Sequence, residues 1–206
     1  ATAVPEYLCL KAGAPIVIDG ALDEPAWKKA KAIDLGLIAD EARPKQPTEA
    51  KMLWDDSALY VAFVCRDADI HAIQNQRDMP LYDEEAVEVF IEPHNDPLAY
   101  VELQVNPLNA HFDAFILGDR YPQGRQAILA YNPESFRSAV RVMGTPNRGD
   151  DTDTSWSVEM TVSFKDLGME FAPGVSQRLR MNLYRIDRKD GAAEVSSWSP
   201  TGGSCH

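Results

Sequence analysis

The residues best placed to do chemistry sit on two neighbouring stretches of the chain. In "EEAVEVFIEP", Glu88, Phe90 and Glu92 alternate with Val87, Val89 and Ile91, the spacing of a strand with one apolar face. "YVELQVNP" repeats the pattern, with Val101, Leu103 and Val105 on one side and Tyr100, Glu102, Gln104 and Asn106 on the other. Such a row could supply an acid and a base for glycoside cleavage, or fixed acceptors and amide donors that hold a sugar's vicinal hydroxyls. Glu88 and Glu92 are too far apart for the first chemistry: four strand residues span about 13 Å, against roughly 5 to 9.5 Å for catalytic carboxylates. Glu88 and Glu102 would be diagonal neighbours about 7 to 8 Å apart, so a hydrolase stays open on distance. A plain solvated sheet surface is the third reading.

The register of the two strands decides which side chains face each other. Of the pairings that keep both apolar sets on one side, one sets Glu88 opposite Glu102 and another sets Glu92 opposite Glu102. Like charges directly opposite are destabilising. The remaining register pairs Glu88 with Gln104, Phe90 with Glu102 and Glu92 with Tyr100, and it is the one expected.

Other chemistry is sparse. His71, His94, His111 and His206 are scattered, with no paired ligands at helical spacing and no phosphate-binding glycine loop. The acids of "RDADIHA" and "GDDTDT" could offer oxygen ligands to calcium, although neither matches an EF-hand. Cys65 reads as a buried thiol, and Cys9 with Cys205 as a bridge joining the chain ends in an oxidising compartment.

The elements around these residues are strands. "EAKMLWDDSALYVAFVCRD" forms a hairpin turning at Asp55, Asp56 and Ser57. Alternating segments continue to "EVSSWS", some nine or ten in all. Strands at this spacing make an all-β antiparallel sandwich, one domain over 1–206. "LDEPAWKKA" is the exception, a short helix capped by Asp23 with Pro25 in its first turn. "RVMGTPNRGDDTDTS" is a polar surface loop. Trp27, Trp54 and Trp156 are expected in the core. The net charge of −12 argues against nucleic acid or an anionic membrane as partner, and no run reaches membrane-spanning length. A start at "ATAVPEY", without Met, fits either a mature form after signal cleavage or an engineered start.

"IDGALDEPAWKKA", "KMLWDDSALYVAFVCRD", "DEEAVEVFIEP", "YVELQVN", "SWSVEMTVSFKDL", "RMNLYRID" and "SSWSPTGG" occur in an order that resembles the family 9 carbohydrate-binding modules over nearly the whole chain. The resemblance implies a jelly-roll-like sandwich that binds sugars at the reducing ends of glycans without catalysis. It implies no required cofactor, structural calcium, and attachment to a xylanase or similar secreted or periplasmic enzyme. Members clamp the sugar between two tryptophans and satisfy its hydroxyls with charged and amide side chains. Carried onto this chain, the sugar-binding set is Tyr82, Glu88, Gln104, Asn106, Asn182, Tyr184 and Trp198. Tyr82 stands in place of one tryptophan, and Gln104 where sugar-binding members carry Arg. The family's final strand, which follows "SPTG", is expected to be missing or supplied by another chain. Related sandwiches in oxidoreductases hold haem b between a Met and a His or Lys, and Met79 or Met181 with His111 could be recruited as that alternative site.

Overall fold

The computed structural model describes residues 4–96, 98–118, 124–170, 176–189, 191–203 and 205. The strands are β1 (Leu10–Lys11), β2 (Ile33–Asp34), β3 (Gly36–Leu37), β4 (Thr48–Trp54), β5 (Ala58–Arg66), β6 (Ala86–Glu92) and β7 (Ala99–Val105). There follow β8 (His111–Leu117), β9 (Gln126–Ile128), β10 (Arg137–Met143), β11 (Ser155–Ser163), β12 (Arg180–Lys189) and β13 (Ala192–Ser197). The four additions to the expected count, β1, β2, β3 and β9, are only two or three residues long. Segments that short carry no readable alternation.

Two sheets result. The first runs β1-β4-β5-β11-β10, with β2 also on β4, and the second runs β3-β13-β12-β6-β7-β8-β9. All pairings are antiparallel except β1 with β4. The chain is thus a β-sandwich, as its alternation predicted. Met52, Val61, Phe63, Trp156, Val158 and Met160 from the first sheet meet Val87, Val89, Ile91, Val101, Leu103 and Leu183 from the second in one dry core. This is where the apolar set of β6 and β7 goes, and it forces their polar set onto the outer face. The edge of β13 is covered by β3, with Ser196 opposite Leu37 and Ser197 opposite Gly36. Short edge strands of this kind leave little backbone for another chain to pair with.

The outer face of the first sheet is covered by the N-terminal hook, Ile16 to Ala30, whose α1 (Pro25–Lys29) is the predicted helix. Glu24 rather than Asp23 holds the N-cap position, without a side-chain cap bond. Its carboxylate turns away to accept from Val17 N at 2.9 Å. Glu159 of β11 locks the hook down. Buried in the sheet, it accepts from Gly20 N at 2.7 Å, Asp19 N at 3.0 Å and the Trp27 indole N–H at 2.7 Å. Gly20 has φ +80°, and a Cβ there would lie 3.0 Å from the backbone of Val140 and Arg141, so only glycine fits this close approach.

Trp27 and Trp156 are buried as expected, while Trp54 is half-buried with its indole N–H on Cys9 O at 3.1 Å. The Cys9–Cys205 bridge is not formed: both thiols are free. Cys9 packs against the core between the sheets, whereas Cys205 packs with Ile38, Phe90 and Tyr184 on the outer face of the second sheet. A sheet stands between them. The polar loop after β10 is anchored inward at Asp153, which accepts from Ile70 N at 2.7 Å and Thr145 N at 2.6 Å. Among the described residues no helix is long and apolar enough to cross a membrane.

Candidate functional site

The register of β6 and β7 is the one that avoids opposed carboxylates: Glu88 faces Gln104 and Phe90 faces Glu102. Extended through β12 and β8, two rows cross the outer face of the second sheet. One reads Tyr184, Glu88, Gln104, Phe112, and the other Asn182, Phe90, Glu102, Ala114. Adjacent members of a row stand on strands about 4.8 Å apart, so the four positions form a continuous strip of polar and aromatic groups.

This strip is not wet. Glu88 is 2% exposed and Gln104 0%. Burial disfavours a charged carboxyl, and the neighbouring Glu102 adds repulsion, so the Glu88 acid is pushed up to about 8. Glu102 is pushed up to about 7 by burial, against the pull of the Gln104 amide. That amide donates along its own strand to Glu102 rather than across to Glu88. The consequence is chemical: Glu88 Oε2 and Gln104 Oε1 are buried acceptors without a donor. Aromatic rings frame them. Phe90 stacks on Tyr100 at 5.5 Å between centroids with an interplanar angle of 24°, and lies 5.0 Å from Tyr184.

Five of the seven expected sugar-binding residues are therefore near one another or at the strip's margin. Glu88, Gln104, Asn182 and Tyr184 belong to the two rows. Tyr82 stands at the far end, 44% exposed and edge-on to Phe112 at 5.7 Å. Asn106 lies on β7's continuation but is fully committed within the fold. Its amide donates to Gln74 O and Glu84 Oε1, both at 2.7 Å, and its oxygen accepts from Leu108 N and Ala110 N. No capacity remains for a ligand. Trp198 is not brought to the rows. Its amide bonds Leu183 O, and its ring packs against the inter-sheet core, edge-on to Tyr7 at 6.4 Å. Phe90, Tyr100 and Phe112 are the residues a reading of polar groups passes over; Phe90 and Tyr100 share the alternation of Glu88 and Gln104, which is the signal that places them here.

The alternative sites fare differently. Met181 points into the core on β12, three strands from β8 and His111. His111 itself has Nε2 2.5 Å from Ser138 Oγ and its ring tilted over Phe136 at 4.4 Å, and burial lowers it to about 4. Met79 is an exposed loop residue. Of the two alternative haem pairs, Met181 with His111 is thus not assembled, while Met79 follows Asp78, whose N donates to His111 O at 2.9 Å. His206 lies outside the described residues.

For calcium, the described acids that come close enough are Asp67, Glu85 and Asp187. The Arg185 guanidinium already stands among them, 2.6 Å from Asp67, 3.3 Å from Glu85 and 3.8 Å from Asp187, with its flat face 4.9 Å from the Trp156 ring centroid. A resident cation of the chain's own fills the place, so this cluster does not fit a calcium ion. In "GDDTDT", Asp153 is spent on backbone amides and Asp150 pairs with Arg148 at 2.6 Å.

Comparisons with known proteins agree with the sandwich and its sequence motifs. The chain is 34% identical over 192 residues to the exoglucanase XynX of Acetivibrio thermocellus, covering 91% of this chain and 15% of that protein. It is 30% identical over 189 residues to an endo-1,4-beta-xylanase A of Thermoanaerobacterium saccharolyticum, covering 91% of this chain and 14% of that one. The chain thus spans about one-seventh of the length of these curated relatives. In structure it superposes on a carbohydrate-binding module family 9 domain of Caldicellulosiruptor kristjanssonii solved with cellotriose. The TM-score is 0.62 at 15% identity, covering 94% of this chain and 89% of that one. The sequence profile of the carbohydrate family 9 binding domain-like proteins matches residues 18–204, and the chain belongs to that family of binding modules.

Proposed function

We propose that the outer face of the second sheet binds a sugar ring without transforming it, and that the chain serves as an accessory module to a polysaccharide-degrading, secreted enzyme. One observation carries this reading: two buried acceptors, Glu88 Oε2 and Gln104 Oε1, face each other without donors inside a frame of Phe90, Tyr100 and Tyr184. An unsatisfied buried acceptor costs about 1 to 3 kcal/mol, and a pair of sugar hydroxyls would satisfy both. The C–H face of a pyranose suits the flanking rings, and Tyr82 with Phe112 offers a second apolar contact at the strip's end.

The relatives' names support the setting, since one is an exoglucanase and the other an endo-1,4-beta-xylanase, and both are far longer than this chain. A catalytic partner domain and an extracytoplasmic place follow as proposals. A glycan array with calorimetry against glucose and cellotriose tests the reading. Binding that is weakened about fivefold or more by Glu88→Gln is the expected result. An array without any bound glycan, or glycan binding indifferent to Glu88, would overturn it.

A further inference from the structure

The stretch from Ile70 to Gln74 has no regular secondary structure, yet its five consecutive amides are all fixed by side chains from elsewhere. Ile70 N donates to Asp153 at 2.7 Å, His71 N to Glu85 at 2.9 Å and Ala72 N to Asn147 at 3.0 Å. Ile73 N and Gln74 N both donate to Glu84 Oε2, at 2.8 and 3.0 Å. The Asn147 and Asn106 amides donate in return to Ala72 O and Gln74 O, both at 2.7 Å. These bonds hold the backbone. The side chains of His71, Ile73 and Gln74 instead line a cleft of about 450 Å³, within the roughly 300 to 1,000 Å³ of small-molecule sites. A backbone fixed from outside is what preorganises the groups that meet a ligand.

Asp69, Asp83, Glu84 and Arg188 line the same cleft. Among the described residues, Arg188 Nε is a buried donor without an acceptor. Arg188 Nη2 donates to Tyr82 O at 3.2 Å, and the Tyr82 ring meets Phe112 of the strip edge-on. Tyr82 thus stands between the strip and the cleft. Glu84 in the cleft precedes Glu88 in the strip by four residues, about 13 Å of extended chain. A single sugar ring does not reach across; a short chain of rings does.

We propose that this cleft holds a further ring of the glycan bound at the strip, that Arg188 and Gln74 grip it, and that it selects uncharged chains. The proposal rests on the sugar-binding reading above and names its ligand class, a neutral oligosaccharide. Arg188 Nε supplies a donor, and the Gln74 amide both a donor and an acceptor, for ring hydroxyls. Ile73, 66% exposed, offers an apolar contact to ring C–H groups. Three carboxyl side chains, Asp69, Asp83 and Glu84, surround the one guanidinium, so a carboxylate on the ring meets like charge.

Arg188→Met removes the donors and keeps the apolar stem. Gln74→Ala removes a side chain while leaving the loop's backbone bonds in place, and serves even where Arg188→Met fails to fold. Calorimetry on the whole chain compares glucose with cellotriose, and glucuronate with cellotriuronate, the same trisaccharide with a carboxylate at each C6. Wild type should bind cellotriose about tenfold or more tighter than glucose, the worth of one hydrogen bond from a charged donor. Each substitution should shrink that ratio by about threefold or more with glucose affinity unchanged. Cellotriuronate should gain nothing over glucuronate. A wild-type ratio near one, a ratio that the substitutions leave intact, or equal losses for glucose and cellotriose would overturn the further subsite while sparing the sugar site. A gain for cellotriuronate equal to that for cellotriose would overturn the selection for neutral chains. No binding of any of these sugars overturns the subsite and the sugar-binding reading together.

Discussion

Raising the pH from 5 to 9 should destabilise this fold, and Glu88 should account for a measurable share of the loss. Its acid is pushed up to about 8 in the folded chain, first by burial and then by Glu102, against about 4.3 for an exposed glutamate. Between those values the folded chain holds a proton that the unfolded chain has released. The stabilisation is complete below the unfolded value and is lost as pH rises through the folded one. For one such group the slope is about 1.4 kcal/mol per pH unit, which sums to the order of 4 kcal/mol across the window. Glu88→Gln removes the titration while keeping the shape. Glu102, Glu85 and Asp113, also raised to about 7, 9 and 6, stay in both proteins and largely cancel in the difference. Urea unfolding midpoints at pH 5, 6, 7 and 8 give the two profiles. Wild type should fall more steeply by about 1 kcal/mol per unit or more. Parallel profiles would mean that Glu88 is ionised in the folded state and that the dry strip has been misread.

Glu88→Gln and Gln104→Ala should each weaken glucose binding by about 1 to 3 kcal/mol, and the double variant should lose less than the sum because the two face each other; strict additivity in calorimetry would break the pairing. Asn106→Ala should cost at least about 3 kcal/mol of stability, since all four hydrogen bonds of a fully buried amide depart together, with an unchanged urea midpoint as the contrary result. Trp198→Ala should behave as a core truncation, losing about 2 to 3 kcal/mol with sugar affinity retained; lost affinity at full stability would return the ring to the binding site.

The alternation of small apolar residues with polar ones made the sandwich and the β6–β7 register legible, because a one-residue slip would have reversed every side chain. Like-charge repulsion at Glu102 was enough to choose among the remaining registers. What alternation could not reveal is what lies on top of a face. Glu88 and Gln104 read as polar and hence exposed, yet both are buried, and Cys205, remote in sequence, hydrogen-bonds the Glu88 carboxyl. Asn106 and Gln104 look alike in a pattern, and only the fold shows that one amide is spent on the turn to β8 while the other keeps an open oxygen. Trp198 follows the same logic: Ser197 pairs with Tyr184, so the next residue must point to the opposite side. Arg185 was invisible as a cation among acids because Asp67, Glu85 and Asp187 converge from three separate stretches.

Glu159 also sets an order of events. Its bonds to the hook span 140, 139 and 132 residues of sequence, so the hook, made before β11, lacks this anchor until β11 emerges. Five helical residues cannot hold together alone. During that interval Ile16, Ile18 and Trp27, the apolar side chains that later cover the first sheet, face solvent. Contacts so distant in sequence form late, because the loop must close before they reward it. The hook is thus locked down only after β11 is in place, and until then its apolar residues are a place where a nascent chain of this protein is open to misassociation.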